Sequence, residues 1–179
     1  MSAVTETVPQ TAMELFQMLP EGTRCELIGN EIYMSPAPRI NHQRLILKLS
    51  RLIEDNLKNG GEVFISPVDV YIRYEPPIVL QPDIVVVRNE NMDIVKEDAM
   101  HGIPDVVIEI LSADVNRDLV KKKKVYQAAG IEEYFVIDPA TLETRCWTLG
   151  GKEIYGAEEY VGHGYFNSRI LAIAFEFNM

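Results

Sequence analysis

The stretch PDVVIEILS, residues 104–112, decides the fold. Val106, Val107, Ile108, Ile110 and Leu111 make an apolar run that does not alternate, the pattern of a strand buried on both faces. Glu109 interrupts that run. A carboxylate so placed loses hydration, so it must be paired, hydrogen-bonded, protonated or bound to a metal. Two further stretches supply partners for it. LQPDIVVV, residues 80–87, reads as a second apolar strand and carries Asp83. RDLVKKKKVYQAAG, residues 117–130, reads as a helix stopped by Gly130 and carries Lys122.

Spacing narrows the choice. Asp105 shares a strand with Glu109, and four residues at about 3.3 Å each set the two roughly 13 Å apart. Carboxylates that share one Mg²⁺ need oxygens within about 2.1 Å of it. Asp105 is therefore excluded, whereas Asp83 on a neighbouring strand is not. Lys122 lies at the centre of the helical stripe Leu119, Val125, Tyr126 and Ala129, so it points towards the sheet and needs a carboxylate there. Asp83 and Glu109 are the candidates. Lys121 and Lys124 fall on its flanks and read as solvated.

The remaining elements are read outward from this centre. Residues 1–10 form a flexible tail, and 11–179 a single domain. Thr11 caps a short helix, TAMELFQML, with Glu14 as its capping-box partner. Gly29–Asn30 separates CELI from EIYM as a β-hairpin. Residues 41–58 form the clearest helix, with His42, Leu45, Leu49, Leu52 and Ile53 on one face and Asn59–Gly60–Gly61 as its stop. Pro67 breaks a strand over 62–73, EPPI at 75–78 is a turn, and 88–103 are irregular. EEYFVID at 132–138 is a strand, with further pieces at about 142–148, 152–155 and 169–177. Strands, a helix, strands, a helix and strands again predict a mixed α/β sheet flanked by helices.

Composition sets the outer bounds. The 179 residues are 47% apolar and 25% charged, which suits a globular domain rather than a disordered chain. A net charge of −10 argues against tight, unselective nucleic-acid binding, whose affinity comes from Lys and Arg on phosphates. It leaves room for a nuclease whose acidic site is offset by divalent ions. Two cysteines, Cys25 and Cys146, make no disulfide framework and read as reduced cytoplasmic thiols. The N-terminus lacks the basic and apolar regions of a secretion signal, and no apolar stretch approaches the roughly 20 residues of a membrane span. Ser112 lacks a GxSxG elbow, against an acyl-hydrolase triad.

Pro82–Asp83 followed by Glu109 resembles the PD-(D/E)xK nuclease pattern. CELIGNEIYMSP, the helix opening at His42, QPDIVVV, PDVVIEILS and RDLVKKKKVYQAAGIEEYFVIDP together resemble the Uma2 family of restriction-endonuclease-like proteins, over about residues 24–139. The resemblance implies a restriction-endonuclease-like fold and a metal-dependent nuclease. The superfamily pattern carries lysine two residues after the acidic one, where this chain has Leu111. Lys122 matches those members in which the lysine has moved to the following helix. The resemblance also implies secondary site roles for Glu26 and His42.

These readings converge on hydrolysis of a nucleic-acid phosphodiester, with DNA as the expected substrate. Asp83 and Glu109 would ligate Mg²⁺ or Mn²⁺, and Lys122 would orient water or neutralise phosphate. Cleavage of both strands of a duplex would suit a homodimer. The alternative is a non-catalytic binding or oligomerisation module that keeps the fold.

Overall fold

A computed structural model of the chain describes residues 8–112, 117–151 and 154–179. Most of the expected N-terminal tail, and part of the expected strand piece at 152–155, lie outside the described residues. Helix α1 (Ala12–Gln17) begins with the expected capping box: the Thr11 hydroxyl accepts from the Glu14 N–H at 3.1 Å, and the Glu14 carboxylate accepts from the Thr11 N–H at 3.3 Å. It lays Phe16 on Cys25, Leu27 and Val79. Strands β1 (Cys25–Ile28) and β2 (Glu31–Met34) form the expected hairpin, with Gly29 taking a φ of 64° that a side chain would resist. Helix α2 (Ile40–Asn56) buries Leu45, Ile46, Leu49 and Ile53. Each such burial is worth about 1.5–3 kcal/mol relative to exposure, so packing rather than propensity holds the helix.

Pro67 does divide its segment, into β3 (Glu62–Ile65) and β4 (Val70–Tyr74). The reading of LQPDIVVV as one strand is corrected. Leu80 ends β5 (Pro77–Leu80), whereas Ile84 begins β6 (Ile84–Val87), and the two belong to different sheets. Pro82 has no N–H for a ladder, and the Gln81 N–H donates to the Glu26 carboxylate instead of a neighbouring strand. The chain therefore changes sheets at Gln81–Asp83. A 3₁₀ turn (Asn89–Ile94) and the two-residue β7 (Met100–His101) occupy the segment expected to be irregular.

Strand β8 (Val106–Ile110) is buried along its whole length. It pairs antiparallel with β6, Ile84 opposite Ile108, and parallel with β9 (Glu133–Ile137). The crossover between β8 and β9 runs through a π-helical segment (Arg117–Lys122) that passes into α3 (Lys123–Ala129), closed by Gly130 at φ 91°. Beyond it come β10 (Glu143–Thr148), β11 (Glu159–His163), β12 (Tyr165–Ser168) and β13 (Ile173–Glu176). The pattern does not announce β11 and β12, because their outward residues are polar and glycines interrupt the alternation. Tyr155 forms an isolated bridge to Leu149.

Among the described residues the strands form a six-stranded sheet, β11-β10-β9-β8-β6-β3, a five-stranded sheet, β2-β1-β5-β4-β7, and the β12-β13 ribbon. The even-numbered side chains of β8 pack with α2 and the ribbon, through Leu49, Phe135, Phe166 and Ile173. The odd-numbered Val107 packs the other way, with Tyr126 of α3, Tyr134, Trp147 and Leu80 of the second sheet. Glu109 shares that second face. No helix among the described residues is long and apolar enough to cross a membrane.

Glu133 ties the ribbon to the large sheet. Its carboxylate accepts from the Ser168 hydroxyl at 2.5 Å and the Arg169 N–H at 2.9 Å. Burial raises its pKa above 4.5, more than these hydrogen bonds lower it. A carboxyl whose folded pKa is raised holds its proton better in the folded state, so its contribution is complete below the ordinary carboxylate value and is lost as pH rises through the folded one. Glu133→Gln is expected to flatten that part of the pH–stability curve. Thermal melts of both proteins from pH 4 to 7 would show it, and parallel curves would refute it.

Candidate functional site

The register Ile84 opposite Ile108, carried one step further, sets Asp83 across from Glu109 at the end of the β6–β8 ladder. There β6 has ended, and the Asp83 carboxylate takes the place of a strand partner: its Oδ2 accepts from the Ile110 N–H at 2.8 Å. From the opposite face, the first turn of α2 brings His42 to the same point. Its Nε2 lies 3.2 Å from Asp83 Oδ2 and 3.1 Å from the Ile110 carbonyl oxygen. Both partners are acceptors, which assigns the proton to Nε2. Nδ1 is buried with no hydrogen-bond partner among the described residues. His42 therefore draws the Asp83 carboxylate and the Ile110 carbonyl towards one N–H.

Glu109 meets its partners on the side of the strand away from α2. Lys122 Nζ donates to Glu109 Oε1 at 2.8 Å, and the Tyr126 hydroxyl donates to the same oxygen at 2.7 Å. Lys122 also reaches Glu26 Oε1 at 3.0 Å. Asp83, Glu109, Lys122 and Glu26 are each no more than 6% exposed. The sequence offers Glu109 and Asp83 as partners for Lys122; the structure supplies Glu109 and Glu26. Glu26 projects inward because β1 alternates, with Cys25 and Leu27 under α1 on the opposite face. Its Oε1 also accepts the Gln81 N–H at 3.1 Å, so the sheet-changing segment is fastened to the same charge cluster. The Gln81 side chain continues the chain of contacts to Asp69 at 2.8 Å. Burial pushes the Asp69 carboxyl above its ordinary value, against the Gln81 bond that lowers it.

Tyr126 is the residue that periodicity hides. It stands four positions after Lys122 on one stripe, so the two side chains fall together, but a tyrosine there reads as core. Burial, reinforced by the negative charge of Glu109, pushes its phenol well above the usual tyrosine value. It stays protonated and donates. The π-helical segment is a second departure from the expected regular helix. The apolar stripe from Leu119 to Ala129 reads alike with four or five residues in the first turn. π-helical turns are uncommon and gather at functional sites.

Leu111 and Asp105 complete the comparison with expectation. Leu111, where the superfamily pattern has lysine, packs against the apolar cluster beside α3, and the ammonium arrives from the helix instead. Asp105 accepts from the Arg88 N–H and Nε at 2.7 and 2.8 Å and so is fully committed to Arg88 and Asn91. The two halves of the cluster meet in successive residues, Glu109 and Ile110.

Among the described residues no group of three or more His, Cys, Asp and Glu side chains is arranged to hold a metal. The hard oxygen donors are two carboxylates, Asp83 and Glu109, and the Ile110 carbonyl. That set suits Mg²⁺, which takes one or two protein carboxylates and keeps several waters.

Comparison with known proteins bears on these observations. The sequence model of the Uma2 family, described as "Putative restriction endonuclease", matches residues 12–179. No curated protein matches. Among solved structures, a crystal structure of "a putative nuclease belonging to DUF820" from Anabaena variabilis is similar, with a TM-score of 0.74 at 17% identity, covering 94% of this chain and 95% of that one. At that identity the likeness speaks for the fold, and the mixed α/β sheets with flanking helices are restriction-endonuclease-like. By the match over nearly its whole length, the chain belongs to the Uma2 family.

Proposed function

We propose that the protein is a metal-dependent nuclease that hydrolyses phosphodiester bonds within DNA. The observation that carries this reading is the buried ammonium of Lys122 on Glu109, one residue from the Ile110–Asp83–His42 contact. Buried charges of this kind are costly, and a purely structural core is equally well served by apolar residues. Membership of a family described as "Putative restriction endonuclease" supports the same reading.

Asp83 and Glu109 would hold Mg²⁺ or Mn²⁺, with the Ile110 carbonyl as a further oxygen. The ion, when bound, supplies a water of lowered pKa and a charge against the phosphoryl oxygens. The protein's own groups do the rest. Lys122 holds positive charge at the reacting centre and orients water or offsets charge developing on phosphate. Glu26 keeps that ammonium in place while Glu109 engages other partners. Tyr126 fixes the Glu109 carboxylate with a proton it does not give up. His42 holds a proton at Nε2 between Asp83 and the Ile110 carbonyl, within reach of a second proton transfer.

The catalytic unit is residues 11–179, acting in the cytoplasm, where the buried free thiols of Cys25 and Cys146 stay reduced. Pairing of two copies would let a duplex be cut on both strands. Calorimetry with Mg²⁺ and Mn²⁺ on wild type and Glu109→Ala tests the metal. Binding is expected in wild type and lost in the variant. Absence of binding in wild type, with and without a DNA strand present, would turn the reading to a non-catalytic binding module.

A further inference from the structure

Of the run Lys121–Lys124, Lys122 alone enters the charge cluster. Lys123 lies over the Trp147 ring at 4.6 Å from its centroid. Lys121 goes to the opposite side, with Nζ 5.3 Å from the centroid of Tyr33. Tyr33 is the register partner of Glu26 across the β1–β2 hairpin. Directly opposed residues of an antiparallel pair project from the same face. The Tyr33 ring therefore stands beside the carboxylate that anchors Lys122, at the rim of the site. The ring is half-buried, and its hydroxyl donates to the Glu31 carboxylate. Lys121 is exposed and makes no ion pair among the described residues, in a chain with 27 acidic and 17 basic side chains.

An ammonium with no carboxylate partner among the described residues, set against a half-buried aromatic ring, offers both elements that hold a nucleotide strand: a phosphate contact and a stacking surface. We propose that Tyr33 and Lys121 form the strand-binding rim of the site, Tyr33 stacking one base and Lys121 taking a neighbouring phosphate, and that the substrate is an unpaired strand. A tyrosine ring can stack only on a base withdrawn from its duplex neighbours. The exposed cation–π contact at rest is weaker than base–aromatic stacking, so an incoming base displaces Lys121 and leaves its ammonium to the phosphate. A net charge of −10 also disfavours a long duplex track and suits contact at a few basic points. This inference rests on the nucleolytic reading but replaces the duplex cut by two copies with a single-strand substrate, which needs no second subunit.

The test is fluorescence anisotropy with a labelled mixed-sequence DNA oligonucleotide, single-stranded and annealed to its complement, in Mg²⁺ at several salt concentrations. Cleavage is followed on the same samples by gel. Wild type is expected to bind the single strand more tightly than the duplex. Tyr33→Leu should weaken single-strand binding about tenfold without changing its salt slope, and Tyr33→Trp should restore it. Lys121→Ala should lower the slope of log K against log salt by about 0.7, one phosphate's worth. Wild-type affinity and slope in both Tyr33→Leu and Lys121→Ala, or equal affinity for duplex, would overturn the rim while cleavage by wild type left the nuclease reading intact. Neither binding nor cleavage by wild type would overturn both.

Discussion

Replacing Lys122 with methionine is expected to lower the unfolding free energy by about 3–5 kcal/mol, although the new side chain has similar length and an apolar stem. The ammonium donates to Glu109 at 2.8 Å and to Glu26 at 3.0 Å, and all three groups are out of water. Its removal leaves two carboxylates in one buried space, with the Tyr126 hydroxyl as a remaining donor to Glu109. Such a pair cannot hold both charges, so the folded variant takes up a proton that the unfolded chain releases. Stability then falls with rising pH, because the folded state binds more protons than the unfolded state. The loss should be largest near neutrality and shrink towards pH 5. Adding Glu26→Gln should recover part of it, since the two sites share a partner and their effects cannot be additive. Urea denaturation of wild type, Lys122→Met and the double variant at pH 5 and pH 7.5 gives all three quantities. A small loss, or one that ignores pH, would mean that the ammonium is not the counter-ion of this pair.

Cleavage by Asp83→Asn is expected to fall by at least about 10³-fold, with the melting temperature changed little. The amide oxygen can still accept the Ile110 N–H that Asp83 now accepts at 2.8 Å, so the end of the β6–β8 ladder stays closed. The charge is what disappears. An anionic oxygen on a divalent ion, together with the ion's own effect on the phosphoryl oxygens, is worth several kcal/mol in the transition state, and each 1.4 kcal/mol is a factor of ten in rate. Single-turnover cleavage of a labelled DNA strand in Mg²⁺, read beside thermal melts, separates the two effects. A variant that melts normally and cuts at the wild-type rate would remove Asp83 from the machinery. A variant that melts far below wild type would show that its bonds to Ile110 and His42 act mainly in folding.

Much of this architecture is local, and local chemistry is legible in one dimension. The unalternating run around Glu109 announces a strand with two buried faces because period and burial are properties of successive residues, and β8 has that character throughout. Thr11 and Glu14 announce the start of α1 in the same way, as does Gly29 the hairpin and the Leu45–Leu49–Ile53 stripe the buried side of α2. Lys122 belongs with them. A lysine at the centre of an apolar stripe must point inward, and it does, at 6% exposed.

What the tertiary structure alone decided is which distant groups meet. Whether LQPDIVVV was one strand or two depended on the competition between a ladder partner and the Glu26 carboxylate for the Gln81 N–H, a contact across 55 positions. The second partner of Lys122 came from the inward face of β1, whose alternation marks a buried Glu26 but does not say what it will touch. The Tyr126 hydroxyl is equally silent, since its ring satisfies the apolar stripe whether or not the oxygen finds an acceptor. Periodicity encodes which side of an element is buried. The pairing of one buried side with another is settled by long-range packing, where a charge already out of water accepts whichever opposite charge or donor the fold brings within hydrogen-bond reach.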